Sequence, residues 1–253
     1  MSIIELRDIT KSYGTFDALR GVDLTINAGE VTCVLGDNGA GKSTLIKILA
    51  GLHEPTEGEL LIDDEAVTFS SPRDALDAGI ATVYQNLAIV DELSVWRNFF
   101  LGQELTGPFG TLKQEEMKRI CSEQLLEMGI DIPDVNVEAG NLSGGQRQVV
   151  AIARAVYFGA RVVVLDEPTA ALGVKQSGVV LKFIAEARDR GVAVVLVTHN
   201  PHHAYLVGDH FTILKLGRQE LDASRDHVTL EELTREMSGG TELEALSHEL
   251  NSY

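Results

Sequence analysis

The sequence predicts an α/β fold with a mainly parallel sheet, because short β-type segments alternate with helical segments along its 253 residues. Three continuous apolar runs predict strands that are covered on both faces: Val31–Leu35, Val162–Leu165 and Val192–Val197. Between Gln85 and about Gly159 there is almost no β-type pattern, which predicts a mostly helical lobe inserted into the order of the sheet strands.

The remaining elements follow from the spacing of apolar residues. Ile3–Ile9 and Val22–Ile26 alternate apolar and polar residues, as half-buried strands do, and Ile80–Tyr84 is a further candidate for a buried strand. Helical spacing appears in four stretches: Lys42–Leu52, Lys113–Met128, Gln146–Tyr157 and Lys175–Arg190. Strands that alternate with helices in this way are expected to run parallel.

Composition narrows the possible classes of protein. The chain has 38 acidic and 21 basic residues, so its formal charge is −17 and its surface disfavours non-specific binding to nucleic acid or anionic lipid. Its apolar runs are far shorter than the ~20 residues that cross a bilayer, and its first residues lack the pattern of a signal peptide.

The chain has only two cysteines, Cys33 and Cys121, and their spacing is not that of metal ligands. So few cysteines are typical of proteins in a reducing compartment, so an intracellular setting is expected.

A phosphate-binding loop is predicted at residues 36–43, which read Gly-Asp-Asn-Gly-Ala-Gly-Lys-Ser. Glycines let the backbone turn tightly and point its amides at phosphate oxygens, and the following helix directs its positive dipole end at the same anion. Lys42 can reach the β- and γ-phosphates, and the Ser43 hydroxyl can bind Mg²⁺. The position between a buried strand and a helix distinguishes this loop from a glycine-rich turn that only caps a helix.

Two carboxylates, Asp166 and Glu167, follow the apolar run Val162–Leu165. Asp166 can hold Mg²⁺, directly or through water, and Glu167 can act as a general base on the attacking water. Paired acids at the end of a strand are common and weak evidence alone, but the upstream phosphate loop strengthens the prediction. A glutamate at this position favours hydrolysis over a passive nucleotide switch.

A second candidate for an anion-binding helix start lies at residues 142–146, which read Leu-Ser-Gly-Gly-Gln before a predicted helix. Ser143 is a suitable N-cap and the glycines leave amides bare, although an ordinary capped helix has the same features. The same five residues are the signature of ATP-binding cassette (ABC) ATPases. The chain resembles that family over nearly its whole length, with five motifs in the expected order.

The resemblance implies a single domain of defined architecture. Its parts are a P-loop NTPase core with a mainly parallel sheet, an N-terminal antiparallel β subdomain and an inserted helical subdomain. The expected core comprises residues 1–85 and 160–240, and the helical subdomain with the signature comprises 86–159. The acidic tail 241–253 is expected to be either a short packed helix or a frayed end.

The resemblance also implies ATP and Mg²⁺ as ligands and assigns roles to matching residues. Tyr13 matches an aromatic residue that stacks on adenine, Gln85 a residue that senses the metal and the attacking water, and His199 a residue that contacts the γ-phosphate. The implied catalytic residues are Glu167, His199, Gln85 and Lys42. The implied metal ligands are Ser43, Gln85 and Asp166. The implied nucleotide-binding residues are Tyr13, Gly36, Asn38, Gly39, Ala40, Gly41, Lys42, Ser43, Thr44, Ser143, Gly144, Gly145 and Gln146. A metal site at His202 and His203 is disfavoured because other ligands are lacking.

Cassettes of this family pair head to tail, so that ATP on one phosphate loop is covered by the signature of the partner. By resemblance, Ser143 and Gly145 complete a site on a second copy of the chain, and a homodimer is the simplest arrangement. One departure from the family pattern is Gly173, where the loop after Glu167 usually ends in an aspartate that crosses the dimer. The change puts communication between the two sites in doubt, but hydrolysis is still expected.

Residues 168–175 and 237–246 resemble the ATPase subunits of bacterial sugar importers of the ribose, xylose and fructose group. This weaker resemblance implies membrane permease subunits as partners, an extracytoplasmic sugar-binding protein as an indirect partner, and a cytoplasmic location at the inner face of the cell membrane. The helical lobe is the expected docking region. Its apolar residues 87–90 with Val95, Trp96, Phe99 and Phe100 form either a contact surface or the core of the lobe.

Three other functions are less consistent with the sequence than transport. Non-transport ABC ATPases usually carry two cassettes in one chain or a long coiled-coil insertion, and the charge of −17 argues against a nucleic-acid partner. An ATP-dependent dimerisation switch with little turnover is disfavoured by Glu167 and His199 and faintly favoured by Gly173. A GTPase is disfavoured because the sequence has no Asn-Lys-x-Asp motif.

Overall fold

Two β-sheets and a group of helices make up residues 2–238, which are the residues that the computed structural model describes. The tail 241–253, for which a packed helix or a frayed end was predicted, lies outside the described residues. The strands are β1 Ser2–Tyr13, β2 Phe16–Asn27, β3 Val31–Leu35, β4 Glu57–Ile62, β5 Glu65–Val67, β6 Ile80–Val83, β7 Val162–Asp166, β8 Ala193–Thr198, β9 His210–Lys215 and β10 Arg218–Ser224. The helices are α1 Lys42–Leu49, α2 Pro72–Asp77, α3 Val95–Phe100, α4 Gln114–Glu127, α5 Gly144–Tyr157, α6 Val174–Asp189, α7 Pro201–Val207 and α8 Leu230–Met237.

The first sheet is antiparallel, in the order β2-β1-β4-β5. Strands β1 and β2 are each 12 residues long and form a hairpin whose last pair is Tyr13 with Phe16. They extend beyond the predicted segments because their polar ends pair with each other along the ladder. The predicted N-terminal antiparallel β subdomain is therefore confirmed, although β4 and β5 were not predicted.

The second sheet has six strands in the order β10-β9-β3-β8-β7-β6. All neighbours from β9 to β6 are parallel, and β10 alone runs antiparallel to its neighbour β9. Every residue of β3 and β8 is buried, as their continuous apolar runs predict. The prediction of an α/β fold with a mainly parallel sheet is confirmed, and β3 begins and ends as predicted.

Most helix limits agree with the sequence to within two residues, and α1 is the exception. It ends at Leu49 rather than Leu52, because Gly51 adopts a left-handed conformation (φ 67°) and the Leu52 amide turns back to the Lys47 carbonyl. The helices α2, α3, α7 and α8 were not predicted. They are six to eight residues long, too short to show a clear helical period.

Residues 84–161 between β6 and β7 contain helices and loops, with only two isolated β-bridges. Four apolar residues that were predicted to be either contact surface or lobe core are buried and belong to the core: Val95, Trp96, Phe99 and Phe100. The two phenylalanines pack against the rings of Tyr157, the last residue of α5, and of Phe158, which follows it. In residues 87–90, by contrast, Ala88 and Val90 are exposed.

Both cysteines are buried and free, and burial raises the pKa of each thiol. Within residues 2–238, the helices are all too short or too polar to cross a lipid bilayer.

Candidate functional site

Four neighbouring parallel strands end at one edge of the six-stranded sheet, and each leads into a predicted site segment. The phosphate loop follows β3, His199 follows β8, Asp166 ends β7, and Gln85 lies two residues beyond β6. The register pairs Leu35 of β3 with Thr198 of β8, Val197 of β8 with Asp166 of β7, and Leu165 of β7 with Val83 of β6. Since adjacent strands are about 4.8 Å apart, the carboxyl ends of the strands gather these residues along one short edge.

The phosphate loop is pressed against its neighbours at two glycines. A Cβ atom at Gly36 (φ 144°) would lie 2.3 Å from the Leu214 carbonyl oxygen, and one at Gly41 (φ 109°) would lie 2.7 Å from the Ala18 carbonyl oxygen. The β9–β10 turn braces the loop from the same side, because the Gly217 amide donates to the Ala40 carbonyl at 3.0 Å. Only glycine fits at the two contact positions.

Lys42 lies inside this loop and is 8% exposed. Its Nζ donates to the carbonyl oxygens of Gly36 at 2.6 Å and Asp37 at 3.0 Å. Burial lowers the pKa of Lys42, while the nearby carboxylates of Glu167, Asp37 and Asp166 act in the opposite direction. An ammonium group has three donors, so this cation is fixed by the loop and can still donate to an anion.

The start of α1 is open to an anion. Its N-cap is Gly41, which has no side chain to cap the helix, so the first amides of α1 have no capping partner from that residue. Ser43 is exposed at this end. The loop amides, Lys42 and the Ser43 hydroxyl therefore form a donor set that fits the phosphates of a nucleotide.

Glu167 is held by both of its carboxylate oxygens. Oε1 lies 2.9 Å from Nδ1 of His199, and Oε2 accepts a hydrogen bond from Thr198 Oγ1 at 3.2 Å. The Glu167 backbone is in the left-handed region (φ 49°), which is uncommon for a residue with a side chain and costs on the order of 1–3 kcal/mol. Strained residues that are so firmly held cluster at functional sites, and this arrangement suits a general base.

Asp166 and Gln85 face a common depression of about 510 Å³, together with Tyr84 and Asn86. Burial raises the pKa of Asp166, as does the neighbouring charge of Glu167, and Lys42 opposes them. A bound divalent cation would offset this repulsion. The oxygen atoms of Asp166, Gln85 and Ser43 are of the kind that Mg²⁺ prefers, so the residues present fit that ion.

The signature motif forms a capped helix start, as predicted for Ser143. The Gln146 amide donates to Ser143 Oγ at 3.3 Å, and the Ser143 amide donates to Gln146 Oε1 at 3.0 Å. A Cβ atom at Gly144 would lie 2.8 Å from Leu172 Cδ2. The signature therefore packs against the loop before α6 of its own chain, and its role toward a nucleotide on a second copy stays a prediction.

Tyr13 ends β1 on the antiparallel sheet and is 43% exposed. Its ring meets the edge of His53, with ring centroids 5.7 Å apart, and Lys11 Nζ lies 5.5 Å from the ring centroid. His53 was not singled out in the sequence. The exposed ring can stack on a base, and this role stays a prediction.

The sequence did not single out Thr198 or the contact of Thr169 with His203. Thr198 carries a recognisable signal, since it is the hydroxyl residue before His199 at the end of a buried strand. The Thr169 hydroxyl and His203 Nδ1 share a hydrogen bond of 2.9 Å across 34 residues, which the sequence alone cannot reveal. Within the part of the chain that the structure describes, no group of three or more His, Cys, Asp or Glu side chains is placed to hold a metal ion.

Three features together define a nucleotide-hydrolysing α/β protein. They are the phosphate loop after β3, the fixed Glu167 at the end of β7, and the second glycine-rich helix start at α5. The family model described as ABC transporter matches residues 19–170, more than half of the chain. The chain belongs to the ABC transporter family. It is accordingly an ATP-binding cassette and an ATPase.

Three relatives have similar sequences. The xylose/arabinose import ATP-binding protein of Sulfolobus acidocaldarius is 44% identical over 237 residues, which cover 93% of this chain and 94% of the relative. The fructose import ATP-binding protein of Rhizobium meliloti is 42% identical, with 95% of each chain covered. The ribose import ATP-binding protein of Yersinia pestis is 38% identical over 94% of this chain, which spans 46% of that longer relative.

Solved structures have the same fold. An ATP-binding cassette of an ABC transporter in its ADP conformation superposes with a TM-score of 0.81 at 25% identity, covering 94% of this chain and 95% of that chain. A dimeric cassette in a post-hydrolysis state bound to ADP and Pi gives a TM-score of 0.73 at 29% identity, covering 88% of this chain and 99% of that chain. The cbiO1 subunit from Clostridium perfringens gives 0.78 at 26% identity, with 99% of each chain covered.

Proposed function

We propose that this chain is the ATP-hydrolysing subunit of a membrane importer for a monosaccharide. The observation that carries the catalytic part is the position of Glu167, whose carboxylate is fixed by His199 and Thr198 on the strand next to its own. The transport part is supported by the relatives, two of which match nearly end to end and are named for sugar import.

In this mechanism the phosphates of ATP lie on the amides of the loop and the start of α1, where Lys42 donates to them. A magnesium ion held by Ser43, Asp166 and Gln85 would neutralise charge on the β- and γ-phosphate oxygens. Glu167 accepts a proton from the attacking water, and His199 keeps that carboxylate oriented while its exposed ring contacts the γ-phosphate. Tyr13 stacks on the adenine.

The functional unit we propose is a dimer of two copies. Support comes from the dimeric cassette with ADP and Pi and from the signature, whose Ser143 and Gly145 start a helix that can bind an anion. Each copy lends its signature to the nucleotide of the other. ATP closes this dimer and hydrolysis reopens it, and the movement is passed to the permeases.

A cavity of about 570 Å³ between the helical lobe and the edge of the sheet is a candidate seat for a permease segment. Its lining includes Val83, Tyr84, Ala88, Ile89 and Phe158. Tyr84 precedes Gln85, so a segment seated here would lie beside a proposed metal ligand. Docking at this cavity would put the cassette at the inner face of the cell membrane, while a separate sugar-binding protein works outside.

A dimerisation switch with little turnover is a second candidate, favoured by Gly173. This residue is exposed, a Cβ atom there would meet nothing within 4 Å, and glycine has no carboxylate to match the one that is usual in the family at this position. Turnover distinguishes the candidates, because a switch binds ATP and dimerises without steady release of phosphate.

The test is steady-state phosphate release by the purified full chain, with and without Mg²⁺, alongside Lys42→Ala. We expect metal-dependent turnover in the wild type, and nucleotide affinity at least ~10-fold lower in Lys42→Ala, because a charged hydrogen bond to phosphate contributes about 1.5–3 kcal/mol. Lys47→Ala, an exposed change on the same helix, is the matched control. Tight nucleotide binding without turnover would favour the switch, and unchanged binding in Lys42→Ala would overturn the proposed phosphate site.

A further inference from the structure

We propose that His203 is a positioning residue for ATP hydrolysis, which holds the loop 168–173 through the hydroxyl of Thr169. The loop connects the proposed base Glu167 to helix α6, and this inference rests on the proposed ATPase function. The hydrogen bonds of His203 are to Thr169 and Asn200, not to the phosphate loop or to the carboxylate of Glu167. Its effect on the reaction would be transmitted by the loop.

The loop is strained at both sides of Thr169. Glu167 (φ 49°) and Ala171 (φ 59°) are both left-handed residues with side chains. Two short-range bonds stabilise the turns between them, from the Ala170 amide to the Glu167 carbonyl at 3.0 Å and from the Leu172 amide to the Thr169 carbonyl at 3.3 Å. A strained loop persists only when contacts from outside also determine its shape.

The segment 198–203 supplies such contacts at two points. Thr198 Oγ1 donates to Glu167 Oε2, and the same hydroxyl accepts the Asn200 amide at 3.1 Å. Asn200 Oδ1 caps α7 by accepting the His203 amide at 3.1 Å. The cap fixes the first turn of α7, and His203 Nδ1 then meets the Thr169 hydroxyl at 2.9 Å. One short segment therefore fastens both Glu167 and the loop that follows it.

The far end of the loop packs on the signature. Leu172 lies against Gly144, where a Cβ atom would come within 2.8 Å of Leu172 Cδ2. Gly145 lies against Gln176 on α6, with a Cβ atom 3.2 Å from the Gln176 carbonyl oxygen. Gly173 lies between Leu172 and α6, and it has no side chain that could hold the C-terminal end of the loop. A shift at Thr169 would consequently disturb the base and the signature together.

The chemistry of His203 suits a structural hydrogen bond. Thr169 is 7% exposed, so its hydroxyl needs a partner inside the protein. Burial lowers the pKa of His203, and the neighbouring His202 and His199 lower it further. A neutral imidazole has one donor and one acceptor nitrogen, and either can satisfy a hydroxyl.

The test compares kcat and KM for ATP in the purified full chain with paired variants. Thr169→Val removes the hydroxyl at nearly constant volume and His203→Ala removes the ring, whereas Thr169→Ser and His203→Asn keep a bonding atom. We expect kcat to fall about 3- to 10-fold in the two removal variants, with KM within about 2-fold of wild type, and to recover in the conservative variants. The double removal variant should be no slower than either single one, because the two changes break the same bond. His202→Ala, an exposed neighbour, is the control and should keep wild-type kcat.

Wild-type kcat in Thr169→Val or in His203→Ala would overturn the role of His203, as would fully additive losses in the double variant. If circular dichroism shows that Thr169→Val does not fold, the kcat values of His203→Ala and His203→Asn alone test the role of His203. Failure of the proposed function looks different, because the wild type itself would then release no phosphate.

Discussion

Nδ1 of His199 lies 2.9 Å from Oε1 of Glu167, although the two residues are 32 positions apart in the chain. They meet because β7 and β8 are adjacent parallel strands that end at the same edge, and the Glu167 amide donates to the Val197 carbonyl at 2.9 Å. The imidazole is more than half exposed, while the carboxylate is 12% exposed. The Glu167 carboxylate is therefore held in a fixed position, and the more exposed His199 ring can reach a ligand.

Replacing His199 should slow catalysis more than it weakens binding. His199→Ala removes one of the two groups that hold Glu167, and losing a hydrogen bond to a charged group corresponds to a fall in kcat of about 10- to 100-fold. Steady-state kinetics of phosphate release would measure this fall. His227→Ala, a change at an exposed histidine in the turn after β10, should leave kcat unchanged. Equal kcat in both variants would argue against a role for His199.

Two glycine-to-alanine changes should have opposite effects on stability. Gly36→Ala forces a Cβ atom to 2.3 Å from the Leu214 carbonyl oxygen, so we expect destabilisation of at least ~2 kcal/mol and loss of ATP binding. Gly178→Ala lies inside α6 with open space around the new atom, so it should stabilise the protein by about 0.5–1 kcal/mol. Urea unfolding measures both. Equal stability of the two variants would contradict the described contacts of the phosphate loop.

Blocking the signature should prevent dimer closure and spare nucleotide binding. Ser143→Arg places a bulky cation at the N-terminus of α5, which is the helix end that carries positive partial charge. We expect ATP affinity of the monomer within about 2-fold of wild type, and no ATP-dependent dimer in sedimentation. Arg119→Ser, on the exposed face of α4, is a control at a distance from the signature. A normal dimer of Ser143→Arg would rule out the proposed shared site.

The bond between His210 and Asp222 should make stability depend on pH. The hydrogen bond that His210 donates to the Asp222 carboxylate raises the pKa of His210 above its ordinary value of 6.5, with burial acting against this rise and the charges of Asp222 and Glu30 adding to it. The folded protein therefore binds the proton more tightly than the unfolded chain. This contribution is fully present below about pH 6.5 and is lost as the pH rises through the folded-state pKa.

Urea unfolding of the wild type and of Asp222→Asn at about pH 6 and about pH 9 would measure this contribution. The difference in unfolding free energy between the two proteins should be larger at the lower pH. Asp226→Asn, an exposed change in the turn after β10, should show no such dependence. A difference that is the same at both pH values would contradict the assignment to His210.

Local patterns were sufficient to predict the parts of the site that are continuous in the chain. The phosphate loop follows a uniformly apolar strand, so its position was clear from residues 31–43. The capped start of α5 was predicted from Ser143 for the same reason. The parallel order of the sheet followed from the alternation of strands and helices, whereas Gln85 and His199 were assigned only by resemblance to the family.

Features that depend on distant contacts could not be predicted. Strands β9 and β10 mix polar and apolar residues, and their β-structure depends on pairing with β3 and with each other. The left-handed backbone of Glu167 is not a property of glutamate but of the turn between β7 and α6. The lobe aromatics Trp96, Phe99 and Phe100 were compatible with surface or core until the structure showed all three buried, with Phe99 and Phe100 packed on Tyr157 of α5.

Single-turnover hydrolysis by Glu167→Gln tests the central claim most directly. The amide keeps the size of the side chain but is a poor base, so we expect the rate of the chemical step to fall by about 10²- to 10⁴-fold while an ATP-bound dimer accumulates. Glu115→Gln on the exposed face of α4 should behave as wild type in the same assay. Hydrolysis by Glu167→Gln at the wild-type rate would contradict the account, because the residue that the fold holds at the strand end would then not be the base.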